Sequence, residues 1–283
     1  MIKPGVDAPV DPAVLDLDYR QLYYRWEREQ WSAGAIDLTE DRRQWDELFP
    51  PKHQGAFRWA LASFAIPDEI TNMLVRFVDA APTEEQQVFL TTQLADSARH
   101  AVFHDRFASE VLAEGAAGVG VRAGWLNDGW RILSTEMLPA ASNAIATDLG
   151  NLDRLVEGIA LYHLVIEGAV AFTGRRFLLD HARTNDLLPG WCRGSTDIAR
   201  DDARHVDFAT KFLRAMIEKD RHYADVVAGM LAKAVPIIRA TFEVPDGDPS
   251  YLDPLSYGPG DLTTFALDAL KKRADLIGLE PIP

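Results

Sequence analysis

The stretch from Leu155 to Phe172 constrains the fold most, because Leu155, Ile159, Leu161, Leu164, Val165, Ile166, Ala169, Val170 and Phe172 leave a helix almost no polar face. A helix apolar all round is a buried helix. Glu157 and Glu167 interrupt the run, and the uncharged part between them is too short to span a bilayer comfortably, so burial inside protein is predicted over lipid. Glu167 is then a buried acid. Such a carboxylate needs an arginine partner, a hydrogen-bonded acid role or a metal, since an unpaired charge there is strongly unfavourable.

The remaining periodicity is also helical, with almost no alternating β-branched runs, so the chain reads as all-α. Helices are predicted over roughly 12–32, 39–48, 52–80, 83–114, 122–149, 152–185, 195–220, 221–242 and 261–277. Thr83 with Gln86 forms a capping box, and Gly115 supplies a left-handed residue to end that helix. Leu188-Pro189-Gly190 breaks the next long pair. The irregular segment at 244–260 lies too near the C-terminus to link domains, so residues 1–283 read as one domain. Four helices of about 28 to 34 residues would each be about 40 to 50 Å long, the dimensions of a large antiparallel bundle.

Two segments 105 residues apart repeat one frame. Asp96-Ser97-Ala98-Arg99-His100-Ala101-Val102-Phe103 and Asp201-Asp202-Ala203-Arg204-His205-Val206-Asp207-Phe208 agree at Asp, Ala, Arg, His and Phe. Asp202 and His205 are three apart, which places carboxylate and imidazole on one helix face one turn from each other. Two such helices facing one another, with an acid from each of two more, make the dimetal carboxylate site of a four-helix bundle. Glu167 supplies one acid and the Asp68-Glu69 pair the other, beside Pro67, which removes a backbone donor mid-helix. A second reading has Pro67 restart the helix, with Asp68 and Glu69 in its first turn.

These residues resemble the small subunit of ribonucleotide reductase and, more closely, the ligand-binding oxidases built on the same ferritin-like bundle. The similarity runs from about Trp31 to His205. It rests on Trp31-Ser32-Ala33-Gly34-Ala35-Ile36-Asp37-Leu38-Thr39-Glu40-Asp41 with Trp45, on Ile66-Pro67-Asp68-Glu69-Ile70-Thr71-Asn72, on Ile166-Glu167-Gly168 and on Ala199-Arg200-Asp201-Asp202-Ala203-Arg204-His205. The resemblance implies a ferritin-like four-helix core with flanking helices and metal ligands at Asp68, His100, Glu167, Asp202 and His205. It implies a hydrogen-bonded path through Trp31, Asp201 and His100, and a homodimer. Three departures stand out. Ser97 occupies the place of a metal-binding Glu, Asp202 replaces a Glu with a side chain one methylene shorter, and His104 stands where the reductase subunits carry their radical tyrosine. The C-terminus also lacks the long acidic tail with a tyrosine by which those subunits dock their partner. Tyr162 looks like the tyrosine that the oxidases crosslink to an aliphatic carbon, with Thr71 as the facing residue; that residue's hydroxyl disfavours a stable ether here.

Carboxylate and imidazole donors suit iron or manganese better than zinc, so the cofactor expected is two irons or a manganese/iron pair, with one position weak or empty. Glu69, Asp96 or Ser97 are the candidates to complete it, and His104, one turn beyond His100, is a replacement donor or a satisfied core histidine. Tyr162, Phe103, Phe172 and Phe208 are expected to shield a cavity in which dioxygen and a small, partly apolar substrate react. The competing class is a scaffold in which the ligand remnants survive as buried polar pairs. A formal charge of −14, from 43 acidic against 29 basic residues, disfavours nucleic acid as a partner. One cysteine, Cys192, and a start without a basic segment or apolar run predict a cytoplasmic protein with no membrane segment.

Overall fold

The computed structural model describes residues 12–62, 70–113, 127–258 and 260–279, without the side chains of 62 and 70–72. Among the described residues there is no strand. A 3₁₀ turn at Pro12–Asp16 leads into α1 (Tyr19–Arg28), then α2 (Thr39–Leu48), α3 (Pro51–Ala62), α4 (Ile70–Ala80) and α5 (Glu84–Glu110). These are followed by α6 (128–147), α7 (Leu152–Thr184), α8 (Pro189–Lys219), α9 (His222–Thr241) and α10 (Asp261–Leu276).

Helix α4 packs on α5, α5 on α8, α8 on α7 and α7 back on α4, which closes a four-helix ring. Around it, α1 lies against α5 and α8, α6 and α9 cover α4 and α7, and α10 lies along α7. Helix α7 is long and apolar enough to cross a membrane by length and composition, yet 89% of its apolar window is buried inside the protein. It is the central helix of the core, for which its all-round apolar surface suits it. Two apolar cores share the ring. One holds Phe89, Tyr162, Phe208 and Phe212, with Phe89 stacked on Phe208 at 4.8 Å between centroids; the other holds Trp45, Phe57, Phe103 and Trp191. The buried polar residues of 96–100 and 201–205, with Glu167 and Arg175, form a polar seam beside these cores.

Local chemistry sets several boundaries. Thr83 Oγ1 accepts from Gln86 N and Gln86 Oε1 from Thr83 N, which starts α5 as the capping box predicts. The single helix expected over 12–32 is instead a 3₁₀ turn and a ten-residue helix, because Asp18 forms a capping box of its own with Gln21 and α1 ends at Arg28. Pro189 opens α8 rather than merely interrupting the helical run, six residues earlier than the pattern suggests. The donors there are satisfied from a distant helix: buried Asp41 on α2 accepts from Gly190 N at 2.8 Å and Trp191 N at 2.6 Å. Gly115, Pro67 and the middle of the helix expected over 52–80 lie outside the described residues.

Candidate metal centre

The repeated frames on α5 and α8 face one another and pair crosswise. His100 Nε2 lies 3.0 Å from Asp201 Oδ2, and His205 Nε2 lies 3.1 Å from Asp96 Oδ2. Each carboxylate also holds a tryptophan from the N-terminal segment: Trp31 Nε1 donates to Asp201 at 2.7 Å, and Trp26 Nε1 donates to Asp96 at 2.9 Å. Buried Arg204 ties the two halves together, donating to Asp201 Oδ1 at 2.7 Å and Asp96 Oδ2 at 3.0 Å while its other amino group reaches Glu29. Arg99 donates to Asp96 Oδ1 and lies over the Trp31 ring at 5.2 Å. Burial alone would raise both carboxylates, but hydrogen bonds and charge from His205 and Arg204 hold Asp96 below its usual value. His100, Trp31 and Arg204 hold Asp201 far below it.

This crosswise pairing fixes the imidazoles. With each Nε2–H directed at an aspartate, Nδ1 is left to face the interior. His205 Nδ1 is 3.1 Å from Glu167 Oε1, and His100 Nδ1 is 3.7 Å from Asp202 Oδ1. Glu167, Asp202 and His205, all buried, each bring a donor atom within 4.8 Å of the others. Glu167 Oε2 and Asp202 Oδ1 are buried without a hydrogen-bond partner, which is costly for a carboxylate. Burial pulls the His205 pKa down, yet Glu167 and Asp96 outweigh it and push it up to about 10, so without metal a proton takes the place of the cation. Two orphaned anionic oxygens beside an inward imidazole fit a bound divalent ion, and the donor chemistry suits iron or manganese.

Glu167 owes its position to α7 itself. Over Ala160–Ala171 the backbone bonds in the wider π pattern, a distortion that recurs at functional sites. At Gly168 a β-carbon would lie 2.6 Å from the His163 carbonyl and 3.1 Å from Arg273 Nε, so only glycine fits against this backbone and lets the arginine in.

Two participants escaped the sequence reading. Arg175, on α7 two turns beyond Glu167, is buried and donates from Nη1 to Asp202 Oδ2 at 2.5 Å. An arginine eight residues after a buried acid on an apolar helix was the available signal. Trp26 is the other, and its role follows only from the crosswise pairing, which places Asp96 beside His205.

The structure brings Trp31, Asp96, Ser97, His100, Tyr162, Glu167, Asp201, Asp202 and His205 into one seam. Asp96, expected as a replacement ligand, has both oxygens engaged by four donors and orients His205 instead. Ser97 is buried with no charge to offer. His104 is half-buried beside Phe103, outside the donor cluster. Asp68, Glu69 and the side chain of Thr71 lie outside the described residues. The Tyr162 hydroxyl is buried without a partner, and burial, then the charges of Glu167 and Asp202, raise its pKa well above the usual tyrosine value.

A cleft reaches Glu167 and Asp202 between α7, α8 and α10. Phe172 lines it as expected, but Tyr162, Phe103 and Phe208 do not; Val206, Arg175 and Arg273 do. Those three aromatics are consumed in core packing, fully buried, Tyr162 and Phe208 in one apolar core and Phe103 in the other. Arg273 is buried over the Phe172 ring at 5.2 Å, and desolvation lowers its pKa to about 10.

In sequence, this protein is 24% identical over 226 residues to ribonucleoside-diphosphate reductase subunit M2 of Danio rerio, a match covering 78% of its length and 55% of that relative. It is 23% identical over 207 residues to subunit M2 of Homo sapiens, covering 71% of its own length and 50% of the relative. It thus spans about half the length of the curated relatives it matches. Among solved structures, a variant of an R2-like ligand-binding oxidase with anaerobically reconstituted Mn/Fe cofactor superposes with a TM-score of 0.80 at 20% identity, covering 93% of this chain and 94% of that one. Another variant, aerobically reconstituted, gives 0.81 at 19% identity over 94% and 95%. The fold is the R2-like ferritin fold. No family model matches the sequence. Within the R2-like core, the polar seam beside the two apolar clusters is the candidate metal centre of this protein.

Proposed function

We propose that the protein is a metal-dependent oxidase or oxygenase that reduces dioxygen while oxidising a small, partly apolar organic molecule admitted through the cleft. The observation that carries this reading is the donor cluster of Glu167, Asp202 and His205, with two carboxylate oxygens buried and unpartnered at the end of a cleft lined by Phe172 and Val206. Iron or manganese bound there would supply the electrons for oxygen reduction. The likeness to reductase M2 subunits and to R2-like ligand-binding oxidases supports the same class of chemistry.

Within this reading each residue has a physical task. Glu167, Asp202 and His205 hold the ion, His100 adds a second imidazole, and Asp68 is the expected donor from the segment preceding α4. Asp96 and Asp201 keep Nδ1 of each imidazole inward, a form of support whose loss typically weakens metal sites about 10- to 100-fold. Tyr162 keeps its phenolic proton at the edge of the cluster. Arg273 and Phe172 close the cleft around the apolar part of the substrate and keep water from the metal.

A second reading, a non-catalytic scaffold, is favoured by Ser97 and by the Arg175–Asp202 ion pair, which neutralises one ligand without any metal. Anaerobic loading of the purified protein with ferrous and manganous ions, followed by elemental analysis and oxygen uptake with a reductant, separates the two. The oxidase binds metal tightly and consumes oxygen; a protein that retains no metal and consumes none is the scaffold.

A further inference from the structure

The repeat on α5 and α8 provides two imidazoles but only one inner carboxylate, since Ser97 stands where α8 carries Asp202. A carboxylate that bridges two ions through both oxygens gives one oxygen to each. Asp202 cannot do so here, because its Oδ2 accepts from the buried Arg175 guanidinium at 2.5 Å. Oδ1 remains, buried and unpartnered, 3.7 Å from His100 Nδ1 and 4.0 Å from His205 Nδ1, while His205 Nδ1 lies 3.1 Å from Glu167 Oε1. Donors about 2.1 Å from one ion stand about 3 Å apart when adjacent and about 4.2 Å apart when opposite, so the cluster of Glu167, Asp202 and His205, with donor atoms all within 4.8 Å of one another, suits a single ion, while His100 stands at its edge and offers a second ion no carboxylate beyond the shared Asp202 Oδ1 among the described residues.

Charge points the same way. With Asp96 and Asp201 offset by Arg99 and Arg204, two divalent ions beside Arg175 would bring five further positive charges into the seam, against Glu167, Asp202 and at most the two acids Asp68 and Glu69. One ion and Arg175 bring three, which carboxylates of that number can balance without leaving a buried excess.

We propose that the centre holds one metal ion per polypeptide, bound by Glu167, Asp202 and His205 with His100 at the edge of the cluster, and that Arg175 supplies the positive charge a second ion would bring. The proposal rests on the metal-dependent reading above and narrows it to a mononuclear site. Arg175 is then a positioning residue: it fixes the Asp202 carboxylate so that Oδ1 alone faces the ion.

The test is metal stoichiometry and spectroscopy on the full-length protein, needing no turnover. The protein is loaded anaerobically with excess manganous or ferrous ion, freed of unbound metal and analysed for metal per polypeptide. Electron paramagnetic resonance of the manganese-loaded protein then distinguishes an isolated ion from a coupled pair. Wild type should retain one ion with the six-line signal of isolated manganese. Arg175→Lys should also retain one, because the charge is kept. The double variant Ser97→Glu with Arg175→Met, checked for native helicity by circular dichroism, should retain two ions and lose the isolated signal to spin coupling. Two coupled ions in wild type would overturn the mononuclear proposal and leave the metal-dependent function standing. A double variant that is folded and still holds one ion would overturn the role given to Arg175. No tightly held metal in wild type would defeat the functional reading itself.

Discussion

On α5 the frame reads Asp96, Ser97, Arg99 and His100; on α8 it reads Asp201, Asp202, Arg204 and His205. The outer residues behave alike: each aspartate takes a tryptophan and the histidine of the opposite helix, and each histidine turns Nδ1 inward. The inner residue does not. Asp202 brings a carboxylate that Arg175 half-neutralises, whereas Ser97 brings none, and Glu167 from α7 approaches His205 rather than His100. A shared frame therefore specifies how the imidazoles are aimed, while under the mononuclear proposal one inner position and two residues from a third helix would decide how many cations the halves can hold.

Removing each histidine breaks this comparison most directly. His205→Ala should weaken metal binding by more than about a hundredfold, since it removes the imidazole nearest to Glu167, and His100→Ala by about tenfold. His222→Ala should leave binding unchanged, because that ring is exposed beside Asp153 and outside the donor cluster. Titration of the three variants with manganous ion gives the ranking, and equal affinities for His100→Ala and His205→Ala would mean that the halves are equivalent.

A different effect is expected at Arg175, where stability replaces affinity as the readout. Arg175→Met leaves Asp202 as an uncompensated buried charge, a change that typically costs about 3–5 kcal/mol. The loss should appear in urea unfolding of the metal-free protein and shrink once metal is bound, because the ion then neutralises the same carboxylate. A loss of the same size with and without metal would separate Arg175 from the metal site.

The smallest effect contrasts His205 with another fully buried histidine. His163 meets only Gln93 Oε1 at 3.0 Å and the Ile159 carbonyl at 3.2 Å, with no carboxylate, and burial lowers its pKa to about 3. Turning the Gln93 amide over would let its Nε2, otherwise buried without a partner, donate to the ring, with Nδ1–H bonded to Ile159. His163 thus folds neutral while the unfolded chain protonates it near pH 6.5. Its contribution is full above that pH and falls as pH drops toward 3, by up to about 1.4 kcal/mol per unit. Urea unfolding at pH 7 and 5.5 should show wild type losing roughly 1 kcal/mol more than His163→Leu. Parallel losses in the two proteins would show that His163 is not the group responsible.

Much of this architecture was legible in the linear pattern. The apolar surround of Glu167 required a buried central helix, and the Thr83–Gln86 box and the repeated Asp-x-x-Arg-His frame placed α5 and α8 with their histidines inward. Such features depend on residues within a few turns of one another, where helical geometry is fixed at 3.6 residues per turn. The Asp18 box was equally local and was overlooked in favour of an unbroken periodic run.

Other features had no local signal. The cap on α8 comes from Asp41, 149 residues from Gly190. Asp96 meets the His205 ring because α5 and α8 face each other at a register that puts the two together. The cleft formed between α7, α8 and α10 rather than among the predicted aromatics, since those rings were drawn into the two cores. Composition and periodicity determined which residue types would be buried together, because the hydrophobic effect acts on helix faces without regard to partner. Only the tertiary packing decided that Arg175 would reach Asp202, because hydrogen bonds and ion pairs depend on separations of a few tenths of an ångström between helices distant in the chain.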